Sequence, residues 1–129
     1  VLKQDAANAE ALFGLGYCYF CKQELERSAD YFRAALRSNP LFIDAYINLG
    51  AIYEKSQKFA EALEVLDKAV ALAPSQGRTY YNIGVVHEKL GNLQKAITAY
   101  EKAIQLGYTS QDRAQERIKK LKEFLLRKE

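Results

Sequence analysis

Three side chains in this 129-residue sequence could act as nucleophile, redox pair or metal ligand: Cys18 and Cys21, which form a C-x-x-C, and His87, the single histidine. A C-x-x-C can cycle between dithiol and disulfide or supply half of a zinc site. Structural zinc needs four ligands, and the chain has no second cysteine pair to provide them. A reactive pair gains from a helix N-terminus, where a thiol pKa is lowered, but the apolar spacing around Cys18 and Cys21 puts them inside a helix. The expectation is two small, buried helical residues, in a reducing, cytoplasmic compartment. His87 takes the helical phase of Tyr19 and Tyr53, so it is expected to pack with a satisfied ring nitrogen. Each glycine stands singly in a helix or turn, which leaves no phosphate-cradling loop. No catalytic constellation, metal or cofactor is expected.

Surface recognition is then the open route to function, and charge narrows the partners. The formal net charge is +3. From Gln111 onward there are seven basic and four acidic residues, so the whole excess lies there and the body is neutral. A nucleic-acid footprint over the body is therefore not expected. No apolar run approaches the roughly 20 residues of a membrane span, so insertion is not expected either. The opening Val1-Leu2-Lys3-Gln4-Asp5 does not read as a signal peptide.

The elements that must position any binding residue follow from an internal repeat. Tyr46-Ile47-Asn48-Leu49-Gly50-Ala51-Ile52-Tyr53 recurs 34 residues later as Tyr80 to His87 and 34 residues earlier as Leu12 to Tyr19. A fixed period between roughly 20 and 50 residues marks stacked structural units. Tyr46, Leu49, Ile52 and Tyr53 keep helical spacing, and Phe59, Ala62, Leu63, Leu66, Ala69 and Val70 form a second stripe. Each unit thus reads as two antiparallel helices joined by a short turn. In the third unit Gly91 suits a left-handed helix end, whereas the first must turn on Lys22-Gln23-Glu24 without glycine. Gly16, Gly50 and Gly84 fall inside helices, where glycine costs about 1 kcal/mol, so close backbone approach to the partner helix is expected. Phe32, Leu66 and Tyr100 are expected to fill the space between units, and Pro40 and Pro74 stop the second helices.

The run Tyr46, Leu49-Gly50, Tyr53, Ala62, Leu66, Ala69, Pro74 resembles the tetratricopeptide (TPR) repeat. The departures are Ser28 for the usual Ala, His87 for an aromatic, Tyr108 for Pro, and no Trp at the slot of Leu12, Tyr46 and Tyr80. The resemblance implies an all-α fold, a right-handed α-solenoid of three TPR helix-turn-helix units plus a C-terminal capping helix. The expected boundaries are 1–8 as the remnant of a preceding repeat, 9–42, 43–76 and 77–110 as repeats, and 111–129 as the capping helix. Thr109-Ser110 can cap that last helix, with Asp112 in its first turn. Pentatricopeptide RNA-binding arrays resemble the same architecture, but their period is one residue longer.

In TPR proteins the first helix of each unit lines a concave face that receives an extended peptide or a partner helix. Transferred residue by residue, the resemblance implies a protein or peptide ligand met by Phe13 and Tyr17, by Asn48 and Lys55, and by Arg78, Tyr81, Asn82 and Lys89. Asn48 and Asn82 are one period apart, and each amide offers a donor and an acceptor to a peptide backbone. The alternative is that Asn is simply common at this position of the family. The clamp that some TPR proteins close on a chaperone's acidic C-terminus needs Lys, Asn or Arg where Phe13, Tyr17 and Asn82 stand, so it is not expected here. Two other readings stay open: self-association through an uncapped N-terminal end, and a substrate-presenting arm of a larger enzyme.

Overall fold

The computed structural model describes residues 2–108 and 111–128. Among them seven α-helices follow one another: α1 Leu2–Cys21, α2 Leu25–Ser38, α3 Ile43–Lys55, α4 Phe59–Leu72, α5 Gly77–Leu90, α6 Leu93–Gln105 and α7 Gln111–Lys128. They form two compact bodies, Val1–Leu72 and Ala73–Glu129. In the first, α1 packs on α2, α2 on α3 and α3 on α4; in the second, α5 packs on α6 and α6 on α7. The fold is therefore all-α, with helices paired as the period predicts and one extra helix at the end. One feature differs from expectation. α1 is a single helix from Leu2, so no turn separates residues 2–8 from the first repeat helix. Thr109 and Ser110, expected to cap α7, lie outside the described residues.

The turn inside each unit is built the same way although its sequence varies. Gln23, Gln57 and Gly91, spaced one period apart, all have positive φ (64°, 63° and 84°). After each, the next amide reaches back to a carbonyl five residues earlier: Glu24 to Tyr19 at 3.0 Å, Lys58 to Tyr53 at 2.7 Å, Asn92 to His87 at 2.9 Å. This is the Schellman closure, which satisfies carbonyls that the ending helix leaves over. Gly91 adopts it without strain, while the two glutamines carry a Cβ in a region that L residues disfavour by about 1–2 kcal/mol. The second helices end before Pro40 and Pro74, at Ser38 and Leu72, as expected.

The helix glycines sit where the paired helices meet. A Cβ added at Gly16 would lie 2.8 Å from the Phe32 ring, at Gly50 2.6 Å from Leu66, and at Gly84 2.7 Å from the Tyr100 ring. Each large residue thus occupies the volume a side chain on the facing helix would need. Phe32, Leu66 and Tyr100 are buried as a result. Ser28, at the slot where the family has Ala, is fully buried and donates to the Gly16 carbonyl at 2.6 Å. The substitution therefore adds a hydrogen bond between α1 and α2 and leaves no orphaned hydroxyl.

α7 is amphipathic, with Ala114 and Leu121 buried in the cluster of Ala96, Ile97 and Tyr100, and Ile118 and Leu125 packed beside them. It is held by charge as well. The Glu88 carboxylate on α5 accepts from the Tyr100 hydroxyl at 2.8 Å and from Arg117 Nε at 3.1 Å, and Arg117 Nη2 pairs with its second oxygen. Lys122 of α7 reaches Glu101 of α6 at 3.6 Å.

Candidate binding surface

With about 100° of turn per residue, Asn48 and Lys55 fall seven residues apart on one face of α3. Asn82 and Lys89 repeat that pair on α5, with Arg78 on the same face. Asn48 and Asn82 are half-buried, while Lys55, Arg78 and Lys89 are exposed. Ile47 and Leu49, on either side of Asn48, are both 1% exposed, which fixes the face that the amide presents.

In the first body the structure brings two of the expected residues into one cleft. Tyr17, 53% exposed, and Lys55 line a hollow of about 540 Å³ together with Phe20, Cys21, Gln23 and Leu25. Its wall is apolar on the α1 side and carries a cation on the α3 side. Gln23 and Leu25 were not singled out in the sequence, because they belong to the turn and to the start of α2, away from the helix face that the repeat marks.

Phe13 is placed differently. Its ring stacks on Phe42 with centroids 4.8 Å apart and lies tilted 5.3 Å from Phe32. Tyr81 repeats this in the second body, stacked on Tyr108 and tilted against Tyr100. Both rings therefore fill space between helices, and only their rims remain at the surface where the resemblance places a ligand.

Three more side chains, none picked out as a site, tie α2 to α3. Arg33 Nη1 donates to the Tyr53 hydroxyl at 2.9 Å, and Nη2 pairs with Asp30. Partial burial works to lower the Arg33 pKa, but the bonds to Tyr53 and Asp30 outweigh it and hold the pKa above its ordinary value. This guanidinium is a structural tie, engaged on both sides.

The remaining chemically capable residues are settled by placement. Cys18 and Cys21 are both exposed, near the C-terminal end of α1, which corrects the expectation of burial inside the helix. The period marks the face turned to α2, and neither cysteine lies on it. His87 is half-buried, with Nδ1 3.5 Å from the Asn92 amide nitrogen. Among the described residues no group of three or more His, Cys, Asp or Glu is arranged to hold a metal. No helix among them is long and apolar enough to cross a membrane.

Comparison with known proteins agrees with this architecture. Family models described as "Tetratricopeptide repeat" match residues 41–107 and 9–42. No curated sequence matches the chain. Among solved structures, the first TPR of Spaghetti (RPAP3) bound to the HSP90 peptide SRMEEVD is 24% identical, covers 94% of this chain and 95% of its own, and has a TM-score of 0.87. The first TPR domain of human RPAP3 is 25% identical over 94% of each chain, with a TM-score of 0.86. The Arabidopsis OM64 TPR domain is 18% identical, over 92% of this chain and 98% of its own, at 0.86. These models fall in phase with the helix pairs described above, and the chain belongs to the tetratricopeptide repeat family.

Proposed function

We propose that the chain is a non-catalytic interaction module that binds a peptide or partner helix through the first helices of its repeats, α1 and α3 in the first body and α5 in the second. The observation that carries this is the Asn–Lys pair repeated on α3 and α5, with each amide half-buried and each lysine exposed. A seated amide can bond to a peptide N–H and C=O without losing much rotamer freedom, because burial has already restricted it. Lys55 and Lys89 favour acidic side chains on the ligand, and the Tyr17 cleft accepts an apolar one. That a TPR of RPAP3 was solved with a bound peptide supports this class of partner. The chaperone tail itself is not carried over: Phe13 here is a stacked ring where the clamp requires a cation.

The test is selection from a displayed library of random peptides, followed by measurement of Kd for the enriched sequences. Asn48→Ala with Asn82→Ala is expected to weaken binding by tenfold or more, about 1.4 kcal/mol, with an unchanged helical spectrum. Full affinity in the double variant contradicts the proposal.

A second reading rests on a different contrast. Leu15 and Leu49 hold the same repeat position, yet Leu49, packed in the cluster of Ala29 and Phe32, is 1% exposed and Leu15 is 45% exposed. An apolar helix face of this kind can pair with a second copy of the chain. Light scattering over a concentration series checks it: a mass that stays monomeric removes self-association, and loss of a dimer in Leu15→Lys supports it.

A further inference from the structure

We propose that Cys18 and Cys21 are a thiol modification site, an exposed dithiol at the end of α1 that closes to a disulfide by exchange with a low-molecular-weight disulfide such as oxidised glutathione. Cys21 borders the Tyr17–Lys55 cleft of the proposed binding surface, but the thiol chemistry is read from the pair itself and does not depend on that function. Both thiols are exposed, against the usual burial of free cysteine. They lie one helical turn apart, with Cys21 the last residue of α1.

Geometry permits closure at this place. Residues three apart on a helix have Cβ atoms about 5–6 Å apart, whereas a disulfide needs about 3.5–4.5 Å. Cys21 must therefore shift by about 1–2 Å toward Cys18. Within a helix the hydrogen-bond ladder resists such a shift, but here the ladder is ending. The Lys22 amide is shared between the carbonyls of Cys18 at 3.2 Å and Tyr19 at 3.1 Å, both long, and the chain then turns through Gln23 at a φ of 64°. Access is open as well, since Cys21 lines the cleft that holds Tyr17 and Lys55, and Lys55 is placed to attract the reagent's carboxylates.

The reaction balances without a further co-reactant. One cysteine, as thiolate, attacks the small disulfide, forming a mixed disulfide and expelling one glutathione thiolate. The other cysteine, as thiolate, then attacks the protein-side sulfur, forming the Cys18–Cys21 bond and expelling the second. The dithiol loses two electrons and two protons, and the small disulfide takes them up as two thiols. Because Cys21 moves, the cleft wall it shares with Tyr17 and Phe20 changes shape, and the turn that follows is pulled with it.

The test is intact-mass analysis, without reductant, of the full chain after incubation with excess oxidised glutathione. The expected product is a monomer lighter by two hydrogens, restored by dithiothreitol. Cys18→Ser and Cys21→Ser are each expected to stop at a single mixed glutathione disulfide. Amide exchange supplies the structural readout: Lys22, Gln23 and Glu24 lose protection in the oxidised chain relative to the reduced one. Free thiols after incubation, two glutathione adducts without closure, or a disulfide-linked dimer would each overturn the proposal. So would unchanged exchange at those three amides.

Discussion

The two bodies hold the same aromatic arrangement in different chemistry. In the first, Phe13 stacks on Phe42 at 4.8 Å and 21° and tilts against Phe32 at 5.3 Å and 51°. In the second, Tyr81 stacks on Tyr108 at 4.8 Å and 24° and tilts against Tyr100 at 5.3 Å and 50°. The ring geometry is the same to within a few degrees, so it is set by helix pairing and by the facing glycine. The hydroxyls are where the bodies part. Tyr100 donates to Glu88, which also holds Arg117 of α7. Two periods earlier the position of Glu88 is Phe20, which packs against the Phe32 cluster. One body keeps the site dry, and the other uses it to dock an extra helix.

Substitutions at equivalent positions distinguish the two bodies. The largest effect is expected from removing the central ring. Phe32→Ala and Tyr100→Ala should each destabilise by about 3–5 kcal/mol in urea unfolding, since both rings are almost wholly buried. A small loss at one of them would mean that its body can collapse around the gap, and the equivalence would fail there. Exchanging the ring types comes next. Phe32→Tyr places a hydroxyl next to Phe20 and should cost about 1–3 kcal/mol, whereas Tyr100→Phe removes a bond to a carboxylate and should cost about 1.5–3 kcal/mol. Only Tyr100→Phe should also speed amide exchange in α7.

The smallest effect concerns the turns, where the same contrast runs. The turns at Gln23 and Gln57, both in the first body, use glutamine at positive φ, while the second body uses Gly91. Gln57→Gly should raise stability by up to about 1 kcal/mol, and Gly91→Gln should lower it by a similar amount, because a Cβ at position 91 meets strain but no neighbour. Equal stability for both variants would show that the glutamine side chains offset the strain by other means.

Much of this was legible in the sequence because the repeat carries it. The period marked Gly16, Gly50 and Gly84 as points of close helix approach, and the contacts fall there; that Phe32, Leu66 and Tyr100 are the side chains seated against them is seen only in the structure. It also required the first unit to turn without glycine, as Gln23 does. What was not legible lies off the period. Phe42 and Tyr108 are not equivalent positions, so the stacks on Phe13 and Tyr81 had no signal in the pattern. Arg117 belongs to the segment outside the repeats, so nothing in the period pairs it with Glu88. The exposure of Cys18 and Cys21 was missed for a related reason: residue type suggested burial, while the helix face was decided by where α2 packs. Of the eight candidate ligand residues, Asn48, Lys55, Asn82 and Lys89 form a repeated pattern on α3 and α5, while Phe13 and Tyr81 serve the interior as well.

The most direct test of the binding surface is an amide chemical-shift titration of the chain with a peptide recovered from the displayed library. Saturable shifts are expected to concentrate at Tyr17, Asn48, Lys55, Asn82 and Lys89. Shifts confined to α7, or to α2, α4 and α6, would contradict it.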